Sequence, residues 1–313
     1  MTIFYSTLDQ MFFLMMLIAV GFLLAKFKLI PSNSATVLAK LENTILIPAL
    51  VMGTFIDNFT VEKLSVTWKL FVFSFAMMII IIPLSIFVPR LVTKDGFTRN
   101  IYTYGLAFSN FTFMGNSVVK ALFPNIFWQY LIFTLPLWIL IYLWGVPALL
   151  MPAEEEKRGI VGLLKNLLNP MFIAMIIGFV IGIFDIPLYS GITNVVTTLG
   201  DCMSPVAMIL TGITIASISM KKAFTNIGVY VISIIRLILI PVAFIFLFVL
   251  LPLPNEFVIC AVCSMAMPLG LNTIVIPSAY GKDPTVASGM ALISHVLSCL
   301  TIPLVFFLLM SVL

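Results

Sequence analysis

Long apolar segments recur along the whole chain, and short stretches with polar and charged residues separate them. Each segment contains about 20 residues, enough for a helix to cross the roughly 30 Å hydrocarbon core of a membrane. The pattern predicts ten spans, at 8–26, 35–55, 67–89, 100–120, 126–150, 168–184, 190–217, 226–251, 256–280 and 286–311. Span 1 lacks a positively charged leader and a small-residue cleavage site, so we expect it to be retained as a helix.

The composition agrees with a chain that lies mostly in lipid. Apolar residues make up 62% of the 313 residues and charged residues 9%, whereas a soluble domain usually carries about a quarter charged residues. The net charge of +4 is therefore loop charge and no sign of nucleic-acid binding. Cys260 and Cys263 form a CxxC without a second pair or supporting histidines, so packing is favoured over metal binding.

The positive charges fall mainly on one side of the predicted spans. Twelve Lys and Arg residues lie in one set of alternating loops and three (Lys63, Lys69 and Lys120) in the other, while Arg236 lies within span 8. The positive-inside rule places both termini outside the cell and the charge-rich connector at 152–166 in the cytoplasm. The predicted units are a first five-helix repeat at 1–151, this connector, and a second five-helix repeat at 167–313.

The two halves of the chain resemble each other at an offset of 156 to 158 residues. The matches, in order, are Gly21-Phe22 with Gly178-Phe179, Pro48 with Pro205, Pro83 with Pro241, and Asn116-Ser117 with Asn272-Thr273. Because each half holds an odd number of spans, the second half enters the membrane from the opposite side. This pattern predicts an all-α membrane protein built from inverted repeats, an architecture typical of secondary transporters.

Spans 4 and 9 carry polar and helix-weakening residues near their middle. These residues are Ser109, Asn110 and Asn116 in span 4, and Pro268, Gly270, Asn272 and Thr273 in span 9. Proline removes a backbone donor and glycine permits non-helical angles, so we expect both helices to break and cross. Two half-helix N-termini at this depth would attract a carboxylate, which makes these residues candidates for substrate binding. The alternative is that they only allow close packing.

Ionisable side chains inside a membrane are candidates for coupling or for counter-charge. Asp201 lies in span 7, four residues before Pro205, while Arg236 and His295 lie in spans 8 and 10. Asn43 in span 2 is a further candidate. The structural alternatives are pairing of Asp201 with Arg236, snorkelling of Arg236 to the cytoplasmic face, and a hydrogen bond between helices for His295.

The chain resembles the auxin efflux carrier family, in its bacterial malate permease-like and PIN-like branch, over essentially its whole length. The motifs that carry the resemblance are Gly21-Phe-Leu-Leu-Ala, Ile47-Pro-Ala-Leu, the 109–115 stretch, Met267-Pro-Leu-Gly270, Ala279-Tyr-Gly281 and Ile302-Pro-Leu. The resemblance implies crossed, broken helices 4 and 9, transport of small organic acids, and a site at the crossing that includes Asn110, Pro268 and Gly270. The long cytoplasmic loop of the larger plant carriers is missing, so nothing favours auxin over another carboxylate.

Together these observations predict a secondary active transporter of small organic anions, such as malate or other mono- and dicarboxylates, that works by alternating access. The chain has no HExxH, GxSxG or paired GxGD motif, which argues against an enzyme. A cation/proton antiporter of similar architecture is the alternative. The expected partners are the acid and membrane lipids, without nucleic acid, metal or cofactor. The sequence leaves open whether H⁺ or Na⁺ is the coupling ion and whether the chain forms a homodimer.

Overall fold

The structure, a computed structural model, describes residues 2–59, 64–150, 169–217, 224–274 and 285–313. Several sequence features lie outside these residues: the connector predicted at 152–166, the Ala279-Tyr-Gly281 motif, and the cations Lys63, Lys157, Arg158, Lys165, Lys221, Lys222 and Lys282. Within the described ranges, nearly all of the chain is helical.

The described chain forms eleven helical segments. In order they are α1 (Thr2–Lys26), α2 (Ser34–Asn58), α3 (Leu64–Val92), α4 (Gly96–Ala107), α5 (Asn116–Leu122), α6 (Pro124–Leu150), α7 (Pro170–Ile183), α8 (Ser190–Ala216), α9 (Ile227–Val249), α10 (Asn255–Ala266) and α11 (Thr285–Val312). A separate π-helical turn, Phe111–Gly115, leads directly into α5. Further π-helical stretches lie inside three helices: Glu42–Leu46 in α2, Ile141–Leu150 in α6 and Ile235–Leu239 in α9.

The helix lengths and outer faces are those of a multi-pass membrane protein. Seven described helices (α1, α2, α3, α6, α8, α9 and α11) are long and apolar enough to cross a membrane, by length and composition. Two others, α7 and α10, are apolar but shorter, and span 4 is divided between α4 and α5. Large apolar side chains stand exposed on the outside, such as Phe12, Ile79 and Leu91. Lipid would cover this surface.

Close backbone contacts at glycine join four of the helices. Gly21 on α1 lies against the backbone of Ile209 on α8, and Gly178 on α7 lies against the backbone of Met52 on α2. A Cβ atom at either glycine would overlap those backbone atoms, so a larger residue would force the helices apart. Since α8 also packs on α2, we call α1, α2, α7 and α8 the first helix group.

The other helices form a second helix group, α3 to α6 with α9 to α11. Here α3 packs on α4 and α6, while α11 packs on α9 and α10. Phe73 of α3 lies at the centre of an aromatic cluster, with its ring centroid 6.0 Å from that of Phe133, 5.7 Å from that of Phe248 and 5.5 Å from that of Phe257. The two groups meet where α1 packs on α11 and where α5 and its π-helical turn pack on α1 and α8.

Candidate functional site

Two helices of the second group end inside the protein. The helix α4 ends at Ala107 and α10 ends at Ala266, and the next residue is extended in each case. Phe108 has φ −124° and ψ 110°, and Met267 has φ −71° and ψ 148°. After the first break the chain becomes helical again through the turn Phe111–Gly115. The interruptions predicted for spans 4 and 9 are therefore both present.

The two extended stretches cross in antiparallel directions and hydrogen-bond to each other. Ser109 forms a bridge with Leu269, and the backbone amide of Asn110 donates to the carbonyl oxygen of Pro268 at 2.7 Å. Proline has no amide hydrogen to leave unsatisfied at this point. A Cβ atom on Gly270 would lie 3.1 Å from the carbonyl oxygen of Ser109, so glycine permits the close approach. These contacts satisfy backbone groups that would otherwise be bare in an apolar interior.

The carboxyl-terminal ends of both interrupted helices meet at one guanidinium group. Arg236 is only 2% exposed. Its Nη1 donates to the carbonyl oxygen of Leu106 at 2.8 Å, its Nη2 to that of Ser264 at 3.1 Å, and its Nε to that of Met267 at 3.4 Å. The last carbonyls of a helix lack partners within the helix and carry partial negative charge. Arg236 therefore stabilises two helix ends at once, and it does not snorkel to a membrane face.

The position of Arg236 depends on the π-helical turn Ile235–Leu239 of α9, which comes directly before Ile240 and Pro241. A proline cannot donate to the preceding turn, and its ring crowds the carbonyl four residues earlier. A wider turn before the proline relieves this crowding. Such turns often occur at functional sites, and in α9 the turn carries a buried charge.

The side chain of Asn110 is held on one side by a histidine. Its Nδ2 lies 3.1 Å from Nε2 of His295, whose Nδ1 lies 2.7 Å from the carbonyl oxygen of Ala291. A carbonyl can only accept, so in this arrangement Nδ1 carries the proton and Nε2 accepts from the asparagine amide. The Oδ1 of Asn110 is buried and has no partner among the described residues. The crossing therefore presents an amide oxygen that can accept one further hydrogen bond.

A small cavity of about 10 Å³ lies between the two breaks. It is lined in part by Ser109, Asn110, Gly270 and Asn272. The Asn272 side chain donates from Nδ2 to the hydroxyl of Tyr104 at 3.2 Å. The cavity is about the minimum needed for one water molecule. An organic anion therefore does not fit between the breaks in this conformation.

A larger cavity of about 270 Å³ lies between the two helix groups, beside α5, and several polar side chains stand in its otherwise apolar lining. By the same measure it is more than twentyfold larger than the cavity at the crossing. The polar residues that line it are Gln10, Asn116, Ser117, Lys120, Asp201 and Ser204. The Nζ of Lys120 lies 2.6 Å from Oδ1 of Asp201, and both side chains are 54% exposed. This cavity, unlike the crossing, has room for a small organic molecule.

Most of the predicted site residues lie at one of these two places. The small cavity at the crossing is lined by Ser109, Asn110, Gly270 and Asn272. Pro268 and His295 are hydrogen-bonded to Asn110. The larger cavity is lined by Asn116 and Asp201. The hydroxyl hydrogens of Ser109 and Thr273 are not available to a ligand. Ser109 donates to the Ser264 carbonyl at 2.6 Å, and Thr273 donates to the Gly270 carbonyl at 2.8 Å. Asn43 lines neither cavity, and its Nδ2 donates to the Ala39 carbonyl at 2.8 Å within α2.

Lys120 is a lining residue that the sequence reasoning missed. It was counted with the loop cations because it lies at the end of span 4. It follows Asn116 by four residues, which places both on one face of a helix. That spacing could have linked it to the polar stretch. The alternative that Asp201 pairs with Arg236 is wrong. Asp201 pairs with Lys120, and Arg236 donates to backbone carbonyls.

The sequence profile of a family described as Membrane transport protein matches residues 6–306 of the chain. The matched region begins in α1 and ends in α11, so it includes both helix breaks and both cavities. No curated protein matches the chain.

Replacing Arg236 with glutamine should loosen the crossing. The variant loses a charge and donors to three carbonyls, and hydrogen bonds from charged groups contribute about 1.5–3 kcal/mol. We expect a lower melting temperature in detergent and faster hydrogen exchange at 106–110 and 264–270. Arg90, exposed in the last turn of α3, is the matched control as Arg90→Gln. Equal melting temperatures for the two variants would show that Arg236 does not stabilise the helix ends.

Proposed function

The chain belongs to the auxin efflux carrier family of membrane transport proteins, and from this premise we propose that it is a secondary active transporter of small organic anions. It would move them across the cell membrane by alternating access. Family members are membrane transporters, which argues against an enzymatic role. The observation that carries the proposal is the crossing of two broken helices beside a cavity that is lined in part by a lysine and other hydrogen-bond donors.

Equivalent contacts in the two halves of the chain support an inverted repeat. The contact of Gly21 with Ile209 has a counterpart in that of Gly178 with Met52. In both pairs the residue of the second half follows its equivalent in the first half by 157 residues. Exchanging the halves therefore converts one contact into the other. This supports ten spans arranged as two inverted five-helix repeats, at 1–151 and 167–313, an arrangement suited to alternating access.

The larger cavity contains the donors that a carboxylate needs. A carboxylate can only accept hydrogen bonds, so it requires cationic, amide or hydroxyl donors. The cavity offers the ammonium of Lys120, the amide of Gln10, and the hydroxyls of Ser117 and Ser204. Asn116 also lines this cavity, and it lies on the helical segment that begins at Asn110 of the crossing. We propose that an acid enters here and reaches Asn110 and Asn272 when the crossing widens.

The position of the cavity between the two helix groups suggests how access alternates. The lining comes from α1, α2 and α8 of the first group and from α5 and α6 of the second. A rocking movement of one group against the other would close this cavity and open another on the opposite side. Lys120 belongs to the smaller set of loop cations, so the positive-inside rule places this opening on the outside.

One observation favours the alternative of a cation/proton antiporter. The free Oδ1 of Asn110 is an acceptor, and Asp201 is a carboxylate in the larger cavity. Both groups would suit a cation or a proton donor better than an anion. In the organic-anion proposal, the Asn110 oxygen would instead accept from a hydroxyl or an acid proton of the substrate, or would contact a co-transported H⁺ or Na⁺.

Uptake into proteoliposomes separates the two functions. Purified protein is supplied with a panel of mono- and dicarboxylates, including malate, under imposed proton and sodium gradients. We expect saturable uptake of at least one acid, and its dependence on each gradient identifies the coupling ion. Proton or sodium flux without uptake of any acid would favour the antiporter.

Replacing Asn110 with alanine should weaken acid binding by at least about tenfold, or ~1.4 kcal/mol. The reason is that the side chain supplies both the bond to His295 and the free oxygen at the crossing. Binding is measured by calorimetry, and folding is checked by gel filtration and helical circular dichroism. Asn33→Ala is the control, since Asn33 is exposed and makes no side-chain cap bond. An unchanged affinity in folded Asn110→Ala would remove the crossing from the proposed site.

A further inference from the structure

The salt bridge between Lys120 and Asp201 joins the two helix groups. Lys120 lies on α5 in the second group, and Asp201 lies on α8 in the first. Their side chains meet in the larger cavity and are open to solvent. Any relative movement of the two groups at this point must stretch or break the pair.

Lys120 is the strongest anion-binding group in the cavity. Among the described residues that line it, the charged ones are Lys120 and Asp201. Two of the neutral donors are already engaged in part, because one N–H of Gln10 donates to Ser117 Oγ at 3.4 Å and Ser204 Oγ donates to the Phe113 carbonyl at 3.2 Å. An ammonium has three donors, whereas the contact with Asp201 needs one. Lys120 can therefore begin to bind a second carboxylate before it releases Asp201.

The pair is weak enough to be exchanged. Both side chains are about half exposed, and water and salt screen ion pairs at such positions. An incoming carboxylate replaces Asp201 with a group of the same charge and hydrogen-bonding capacity. A neutral molecule cannot make this exchange, because it would leave the Lys120 ammonium without an anionic partner.

Resting on the proposed function, we propose that Lys120 binds the carboxylate of the substrate and that Asp201 is the competitor it displaces. Displacement of Asp201 breaks the salt bridge between α5 and α8. Movement of one helix group against the other then depends on the binding of an anion. Lys120 is then a specificity-determining residue, and Asp201 a side chain that lowers the apparent affinity for the acid.

The test measures binding of malate, succinate and lactate to purified protein by calorimetry. Lys120→Gln should weaken the binding of each acid by about tenfold or more, since it removes a charge-assisted hydrogen bond. Asp201→Asn should tighten binding severalfold, since it removes the competitor. Lys120→Arg should retain most of the affinity. Lys69→Gln is the matched control, because Lys69 is an exposed cation on α3 outside the cavity.

The opposite signs expected for the two variants separate this proposal from a purely structural salt bridge. If Lys120→Gln and Asp201→Asn weaken binding alike, or if Lys120→Gln binds as Lys69→Gln does, Lys120 is not the carboxylate-binding residue and the proposed function is unaffected. If the wild-type protein binds none of the three acids, the proposed function fails and this proposal fails with it.

Discussion

The guanidinium of Arg236 satisfies the carbonyl ends of two helices that stop inside an apolar interior. A backbone group left without a partner at such depth costs several kcal/mol, so the breaks in this protein depend on partners of this kind. Arg236 supplies them for α4 and α10, and the antiparallel contact of Ser109 with Leu269 supplies others. Because the helix ends are stabilised in this way, the chain can place non-helical backbone and polar side chains far from either surface.

The first helix break determines where the polar side chains of the following helical segment lie. Asn110 begins the helical segment after the first break, and Asn116 and Lys120 follow on the same segment. A continuous helix would bond its own backbone through this region and would carry these side chains in a different register. The broken helix instead brings one amide to the crossing and one amide and one cation to the cavity between the helix groups. A single segment of the second helix group therefore supplies polar side chains to both cavities.

Hydropathy and helix-breaking residues were enough to predict a helical multi-pass membrane protein and the interruptions after Ala107 and Ala266, because each of these features depends on local sequence. The partners of the charged side chains were not predictable in this way. Arg236 bonds to a carbonyl 130 residues away along the chain, and Lys120 bonds to Asp201 81 residues away. The distribution of cations among the loops predicts only that Lys120 is exposed to water. No local sequence pattern indicates that Arg236 donates hydrogen bonds to the ends of two helices. His295 does bond between helices, to Asn110 of another segment, as one sequence alternative held.

The central claim is that an organic acid binds between the two helix groups, beside the crossing of the broken helices. The most direct measurement is the structure of the protein in lipid nanodiscs, determined by electron cryomicroscopy with and without saturating malate. We predict malate density in the cavity beside Asn116 and Lys120, with the Lys120 ammonium separated from Asp201. An empty cavity with the salt bridge intact, or malate density outside the space between the two groups, would contradict it.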